Sequence, residues 1–338
     1  MGTAIGDILV KREISFEDMK GKVIAVDAYN IIYQFLSSIR QRDGTPLMDS
    51  KGRVTSHLSG ILYRNSNLIQ EGLKLVYVFD GKPDIMKEGT LEKRKERKKK
   101  AESEYQDALE EGDLEKARTK AQQTSRMSAE IEESSKDLLD ILGIPWIQAP
   151  AEGENQAAHM VRKGDAWAVG SQDFDSLLVG ADRLVRNLTI SGRRKLPGRN
   201  EYKEIVPELI KLDEVLDRLD ITREQLIDIA LLCGTDYNEG VKGIGPKRGL
   251  KYVKEYGDLE RVLEEKGKSI NNMLEIKELF LQPKVTDEYK VDFKDPDIDG
   301  VKKFLCDKHG FSESRVDKAL EKIIEGRDMD KQMSLTSF

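Results

Sequence analysis

Asp27, Asp80, Glu152, Glu154, Asp173, Asp175 and Asp236 each stand where an apolar stretch runs out. Four of those stretches are strand-like, Val23–Val26, Leu75–Phe79, Ile144–Ile147 and Ala166–Val169, and one, Gln225–Cys233, is helix-like. A lone Asp in such a place is ordinarily a helix cap or a turn former. The repetition, with two paired acids, argues for a shared purpose. In an extended segment residues i and i+2 point to one side, so Asp173 and Asp175 face a common centre. Gly153 lets the backbone bend between Glu152 and Glu154, so that both reach the same space. So many negative charges at one edge repel strongly unless cations sit among them. Hard divalent ions such as Mg²⁺ match an all-oxygen set, which predicts metal-dependent chemistry on phosphate.

Gathering these side chains requires a sheet. Short apolar runs closed by a polar residue read as parallel strands buried on both faces, and sites form at the C-terminal edge of such sheets. Residues 22 to 80 supply a strand to Asp27, a helix from about Ala28 to Arg40, and turn chemistry at Asp43–Pro46 and Ser50–Gly52. A helix over Ser56–Gln70 and a strand over Leu75–Asp80 complete a βαβ pattern, hence a parallel sheet. A helix over Ser128–Leu142, strands near 144–148 and 166–170, and helix across 206–233 follow. Gly240–Arg248 reads as a tight hairpin leading into another helix. The remainder reads as mostly helical to about Gly326, ending in a flexible tail. The expected fold class is α/β, with a largely parallel central sheet flanked by helices and no solenoid repeat.

Two charged segments interrupt this plan. Lys87–Lys100 carries eight basic and three acidic side chains, and Glu102–Glu115 then carries seven acids and no base. With few apolar residues to about Lys120, this stretch has no large face to bury. It reads either as a solvated surface helix or, starting just after Asp80, as a lid or substrate gate. Between Val241 and Lys254 there are five basic residues and no acid, and Gly243 and Gly245 expose backbone N–H groups ahead of a helix N-terminus. Arg248 replaces the third glycine of a dinucleotide fingerprint, and the segment matches no P-loop. It suits a phosphate held without reading base identity, against the plainer reading of a helix–turn–helix corner. Tyr33 and Arg40 share one helix face, where Tyr33 could stack a base and Arg40 hold a phosphate, although helical aromatics ordinarily pack the core.

The bulk numbers narrow the class. The chain has 338 residues, 38% apolar and 35% charged, enough for a large core. Its net charge of −6 means that any nucleic acid must be met by local basic patches. Cys233 and Cys306 are the only cysteines, which argues against a disulfide framework or a thiolate zinc site. His57, His159 and His309 have no nucleophile-like setting. There is no signal-peptide core, N-myristoylation motif or run of transmembrane length, so a soluble, intracellular protein is expected.

Val26-Asp27-Ala28, Tyr77-Val78-Phe79-Asp80-Gly81-Lys82-Pro83, Glu152-Gly153-Glu154, Ser171-Gln172-Asp173-Phe174-Asp175, Gly234-Thr235-Asp236-Tyr237 and Gly243-Ile244-Gly245-Pro246-Lys247 occur in order along the chain. Together they resemble the flap endonucleases, within the structure-specific 5′-nuclease family, and archaeal members in particular. The resemblance implies a PIN-like 5′-nuclease fold in which Asp27, Asp80, Glu152, Glu154, Asp173, Asp175 and Asp236 hold two Mg²⁺ ions, with Mn²⁺ able to substitute. It implies that Lys87 and Arg94 contact the scissile phosphate at the base of a helical arch, and that Tyr33 stacks on the adjoining base. Arg40, Arg64, Lys242, Gly243, Gly245, Lys247 and Arg248 are the further DNA-binding candidates, the last five in a helix–two-turn–helix with a K⁺ ion. Asn155 departs from the family pattern, which has a small residue there. Gln332, Leu335 and Phe338 have the Gln-x-x-aliphatic-x-x-aromatic spacing of ligands for the sliding clamp (PCNA), though the family motif ends on two aromatics.

The expected organisation is a nuclease region over 1–98, the rest of the arch over 99–127, and an internal nuclease region over 128–258 with the helix–two-turn–helix near 224–256. A C-terminal helical region over 259–325 and the clamp-binding tail 326–338 complete it. The expected function is a monomeric, cytoplasmic structure-specific 5′ flap endonuclease with 5′–3′ exonuclease activity, hydrolysing branched DNA in Okazaki-fragment maturation and base-excision repair. Holliday-junction and excision-repair nucleases of the same superfamily carry longer spacers or other arch regions. A catalytically dead clamp-associated scaffold would not need the full acidic set.

Overall fold

Val23–Val26 is β-branched or small along its length, and Val23–Asp27 forms an inner strand of a seven-stranded sheet. In the computed structural model, residues 3–82, 85–189, 193–195 and 202–336 are described. The strands are β1 (Arg12–Glu13), β2 (Val23–Asp27), β3 (Lys74–Phe79), β4 (Trp146–Gln148), β5 (Ala168–Gly170), β6 (Arg183–Arg186), β7 (Arg193–Lys195), β8 (Tyr202–Glu204) and β9 (Glu208–Lys211). The sheet order is β1-β9-β6-β5-β2-β3-β4, with β7 and β8 forming a separate ribbon. Strands β6, β5, β2, β3 and β4 run parallel to one another, while β9 pairs antiparallel with β6 and β1. The chain moves from β2 outward to β3 and β4, then returns to place β5 on the other side of β2. That reversal opens a crevice between β2 and β5 at their C-terminal ends.

Successive strand residues feed opposite faces, giving two cores. Ala25, Val76, Val78, Val169 and Ile210 belong to one, Ile24, Val26, Tyr77, Phe79 and Val185 to the other. The second is covered by α1 (Ala28–Ser38), α2 (Ser56–Gln70) and α5 (Ala129–Ile141), and by late helices reached below. Between α2 and α5, after Asp80, α3 (Glu88–Glu110) and α4 (Leu114–Ala121) form a helical hairpin. The first core is covered by α6 (Gly153–Lys163), α7 (Asp175–Leu178), α8 (Leu212–Leu219), α9 (Arg223–Cys233), α10 (Pro246–Tyr256), α11 (Leu259–Lys266) and α12 (Met273–Leu281). Finally α13 (Ile298–Lys302), a π-helical turn over Lys303–Asp307, and α14 (Glu313–Thr336) return to the second core.

Four expectations are corrected. Residues 208–211 are strand β9, not helix, because Leu209 and Ile210 are both buried, on opposite faces, and the segment satisfies the backbone of β6. The segment 282–297 holds no helix; it is a strap in which Tyr289, Val291 and Phe293 pack on the first core. It is pinned by reciprocal bonds between the Gln156 amide and the backbone of Thr286 (2.8 and 2.9 Å). The segment after Gly326 continues α14 to Thr336 instead of becoming a tail, since Arg327 donates to the Gly143 carbonyl and Lys74 and Lys331 pair with Asp330 and Asp295. The Gly240–Arg248 segment contains no strand pairing; Gly240 and Gly243, at φ +73° and +86°, make two successive turns into α10.

Gly81 follows Asp80 where β3 and the chain after β4 come together, and a Cβ there would lie 2.2 Å from the Ala149 carbonyl oxygen. Gly81→Ala should therefore cost about 1–3 kcal/mol of stability, as overpacking against rigid backbone does. Urea denaturation would measure it, and an unchanged midpoint would contradict this close approach.

Candidate active site

The acidic residues come together because the parallel strands all end on one edge. Asp27 closes β2, Asp80 follows β3, Glu152 and Glu154 open α6 after β4, Asp173 and Asp175 follow β5, and Asp236 follows α9. Their charges reach one another: Asp27 feels Asp80 and Asp173, Asp80 feels Glu152, Glu154 feels Asp175, Asp27 and Asp173, and Asp175 feels Asp236. All the acids expected from the sequence thus form one electrostatic cluster.

Three of them are held by backbone donors on the chain. Asp27 caps α1 by accepting from the Asn30 N–H (3.0 Å), so the plainer cap reading holds for it even though it also joins the cluster. Asp80 accepts from the Gly153 N–H (2.6 Å), which ties the end of β3 to the start of α6. Asp175 accepts from the backbone and hydroxyl of Thr3 (2.7 and 2.5 Å). Beside Asp80, Tyr29 and Lys136 satisfy a further carboxylate, Glu132 (2.7 and 2.6 Å), and Gln148 joins Lys136 to the Asp80 carbonyl. Thr3, Asn30, Ser171 and Glu132 were not singled out from the sequence. Only the position of Ser171, two residues before Asp173, carried a signal.

Burial sets the electrostatics. It pushes Asp27 up to about 7, helped by Asp80, and Asp80 up to about 6, helped by Glu152. Burial and Asp175 hold Glu154 well above the usual carboxylate range, and burial raises Asp175 in spite of the Thr3 bonds. Lys87 is 7% exposed, with its ammonium 2.6 Å from Glu152, 3.9 Å from Asp236 and 5.0 Å from the centre of the Tyr237 ring. Burial alone would lower its pKa, but Glu154, Tyr237 and Glu152 outweigh it and the net shift is upward. One ammonium falls short of neutralising this cluster.

Among the described residues, no three His, Cys, Asp or Glu side chains are drawn into a ready-made metal cage. The donor set nevertheless fits Mg²⁺, which keeps several waters and is ordinarily held by one or two carboxylates plus substrate phosphate. The oxygens are hard, buried and short of positive charge.

The remaining candidates lie around this edge. The ammonium of Lys98, on α3, sits 4.9 Å from the Tyr33 ring centre, and the Tyr33 hydroxyl accepts from the Met127 N–H (3.3 Å). Arg40 donates to the carbonyls of Leu36 and Gly44 and to the Ser125 hydroxyl, so its guanidinium braces the base of the hairpin. The hairpin does have a face to bury, built from the small side chains Ala101, Ala108, Ala117 and Ala121 and linked by Lys120 to Glu104. Arg64 is half-buried on α2, and Asn155 is buried on α6. Lys242, Gly243, Gly245, Lys247 and Arg248 are exposed at the α9–α10 corner, with Arg248 donating to the Gly243 carbonyl (2.7 Å). The side chains of Arg94, Gln332 and Leu335, and all of Phe338, lie outside the described residues.

The chain and its fold have known relatives. The XPG N-terminal domain matches residues 4–101 and the XPG I-region residues 143–236. Flap endonuclease 1 of Pyrococcus horikoshii is 53% identical, across 100% of this chain and 98% of its own. That of Archaeoglobus fulgidus is 53% identical across 96% of each. The solved flap endonuclease-1 of Methanococcus jannaschii superposes with a TM-score of 0.75 at 45% identity, covering 95% of this chain and 98% of that one. The catalytic core of Rad2 in complex with DNA substrate shares the fold, with a TM-score of 0.69 at 22% identity, covering 94% and 96%. The fold is that of the structure-specific 5′ nucleases. Within that class, the chain belongs to the archaeal-type flap endonuclease family.

An acid whose pKa rises on folding contributes stability that is complete below its unfolded value and lost as pH climbs through the folded value. For Asp27 and Asp80 that window runs from about 3.8 to about 7, so the metal-free protein should lose stability across it. Added Mg²⁺ should raise the Tm more at pH 8 than at pH 5. Asp27→Asn keeps a capping side chain and removes a buried charge. It should stabilise the metal-free protein at pH 8 by roughly 1–2 kcal/mol while shrinking the Mg²⁺ response. Thermal melts with and without Mg²⁺ check both; a metal-free Tm lowered by the substitution would contradict the charge argument.

Proposed function

We propose that this flap endonuclease hydrolyses a single phosphodiester at the base of a 5′ flap in branched DNA, leaving a 5′-phosphate and a 3′-hydroxyl, with 5′–3′ exonuclease activity besides. The observation that carries the reading is the convergence of the acidic side chains on one sheet edge with Lys87 among them. Asp27, Asp80, Glu152, Glu154, Asp173, Asp175 and Asp236 are the residues that would hold two Mg²⁺ ions, or Mn²⁺ in their place. When bound, such a pair supplies an activated water and neutralises charge on the leaving oxygen in an in-line displacement.

The chain's own groups do the rest. Lys87 adds fixed positive charge where the phosphate's charge grows, with Arg94 as its partner, which is electrostatic preorganisation. Tyr33 stacks the base beside the cut, and α3 with α4 forms an arch over the 5′ strand. The exposed amides and cations from Lys242 to Arg248 hold the duplex backbone, with K⁺ at the same turn. Arg40 and Arg64 contribute to the same DNA-facing side. Recognition then depends on junction shape rather than sequence. The complex of the Rad2 core with DNA substrate supports a DNA-binding role for this fold.

The place of the reaction is lagging-strand maturation and base-excision repair. Gln332, Leu335 and Phe338 would dock a monomeric enzyme on the sliding clamp (PCNA). The archaeal sources of the relatives support a cytoplasmic setting. No helix among the described residues is long and apolar enough to cross a membrane. The expected regions, 1–98, 99–127, 128–258, 259–325 and 326–338, assign the arch, duplex-binding and clamp-binding roles in that order along the chain.

A labelled double-flap substrate with and without Mg²⁺ tests the reading: cleavage one way only, at the flap base and with metal, is expected. Asp173→Ala should abolish cleavage and retain DNA binding; unchanged cleavage would defeat the mechanism. Lys87→Ala should slow single-turnover cleavage by about 10²–10³-fold while the Kd for DNA holds, as loss of a preorganised charge does. Removing residues 332–338 should leave unassisted cleavage intact and eliminate stimulation by the clamp; stimulation that survives would place the docking element elsewhere.

A further inference from the structure

Asn30 lies on the first turn of α1 and carries no charge, yet it touches both walls of the crevice between β2 and β5. Its backbone N–H donates to Asp27 Oδ1 (3.0 Å) and its Nδ2 donates to Asp173 Oδ2 (2.9 Å). Its Oδ1 accepts from the Gln172 N–H (3.1 Å). Ser171 completes a circuit: its hydroxyl donates to Asp27 Oδ2 (3.2 Å) and accepts from the Asp173 N–H (3.2 Å). Asp27, Asn30, Asp173 and Ser171 therefore form a closed ring of hydrogen bonds.

The ring begins where the sheet stops. The β2–β5 ladder ends at Val26 opposite Gly170, so no strand pairing fixes Asp27 against the loop that carries Asp173. The amide of Asn30 has one orientation open to it, because a carboxylate only accepts and a backbone N–H only donates. An Asp at this position would keep the bond from Gln172, lose the donor to Asp173 and add repulsion. Alanine would lose both.

We propose that Asn30 and Ser171 are positioning residues that set the carboxylates of Asp27 and Asp173 as a fixed pair across the crevice, ready to receive a divalent cation. The inference rests on the metal-dependent reading above. Partners one layer out from a metal's ligands commonly govern affinity by orienting those ligands. Here the same four residues also replace the missing ladder, so the pair is held without DNA or metal.

The test uses the full-length protein and a readout that needs no catalysis: the Mg²⁺ concentration giving half of the metal-induced rise in Tm, without DNA. Asn30→Ala and Ser171→Ala, which remove the ring's bonds without adding charge, should each raise that midpoint by about 10–100-fold. Each should lower the single-turnover rate at fixed Mg²⁺ while the Kd for flap DNA in Ca²⁺ is retained. The double variant should fall short of the product of the single effects, because both substitutions break one ring. Wild-type midpoints in both single variants would overturn the inference. So would losses of DNA affinity and metal-free Tm that match the loss of rate, since those would mark a general folding defect. A wild-type protein that neither melts higher in Mg²⁺ nor cleaves with it would remove the metal reading, and the inference with it. A responsive wild type with indifferent variants would remove the inference alone.

Discussion

Two unit charges about 4 Å apart interact by roughly 4 kcal/mol at an effective dielectric near 20, and the sheet edge gathers several like charges at close quarters. Repulsion of that size is a sizeable part of a domain's net stability, commonly about 5–15 kcal/mol. The apolar strands that end at this edge supply the opposing force. Ile24, Ala25, Val76, Val78, Phe79, Ala168 and Val169 are each 2% exposed or less, which anchors the backbone behind the acids that follow β2, β3 and β5. The protein stores a deficit of positive charge there, and this deficit gives phosphate-bound cations a reason to enter.

The α3–α4 hairpin is coupled to that edge through α1. Its N-terminus carries Asp27 and Asn30, its middle carries Tyr33 beside the Met127 N–H and the Lys98 ammonium, and Arg40 just beyond it reaches the Ser125 hydroxyl at the foot of the arch. Shifting the arch on its small-residue contacts must therefore be felt by the helix that bears an acid of the cluster. On the opposite face, the strap over 282–297 grips α6 through Gln156, one turn beyond Glu152, so the Glu pair is fixed from behind. The site is thus framed by one helix tied to the α3–α4 hairpin and one tied to the strap.

The sequence made the acidic edge legible because β2 and β3 are apolar runs that end abruptly on Asp27 and Asp80, and α2 was bounded correctly from its own apolar spacing. Residues that work through hydrogen bonds across long sequence separation left no such pattern. Thr3 meets Asp175 and Asn30 meets Asp173 only because the fold brings them together. Strand β9 was misread because Leu209 and Ile210 sit beside the amphipathic α8, whose periodicity masks a strand of four residues. The arch looked faceless because alanines at Ala108, Ala117 and Ala121 make a close helix contact without adding much apolar character. The segment after Gly326 was read as a tail from its polarity, although Arg327 and Asp330 are held by pairing rather than by apolar burial.

The central claim is that this edge collects divalent cations because its carboxylates are buried, mutually repelling and fixed before substrate arrives. Crystals soaked in Mn²⁺ and measured at the manganese absorption edge test it most directly. The account predicts two anomalous peaks among Asp27, Asp80, Glu152, Glu154, Asp173, Asp175 and Asp236, with Lys87 displaced from Glu152 or pushed aside. An edge without manganese, in crystals that bind the ion elsewhere, would contradict it.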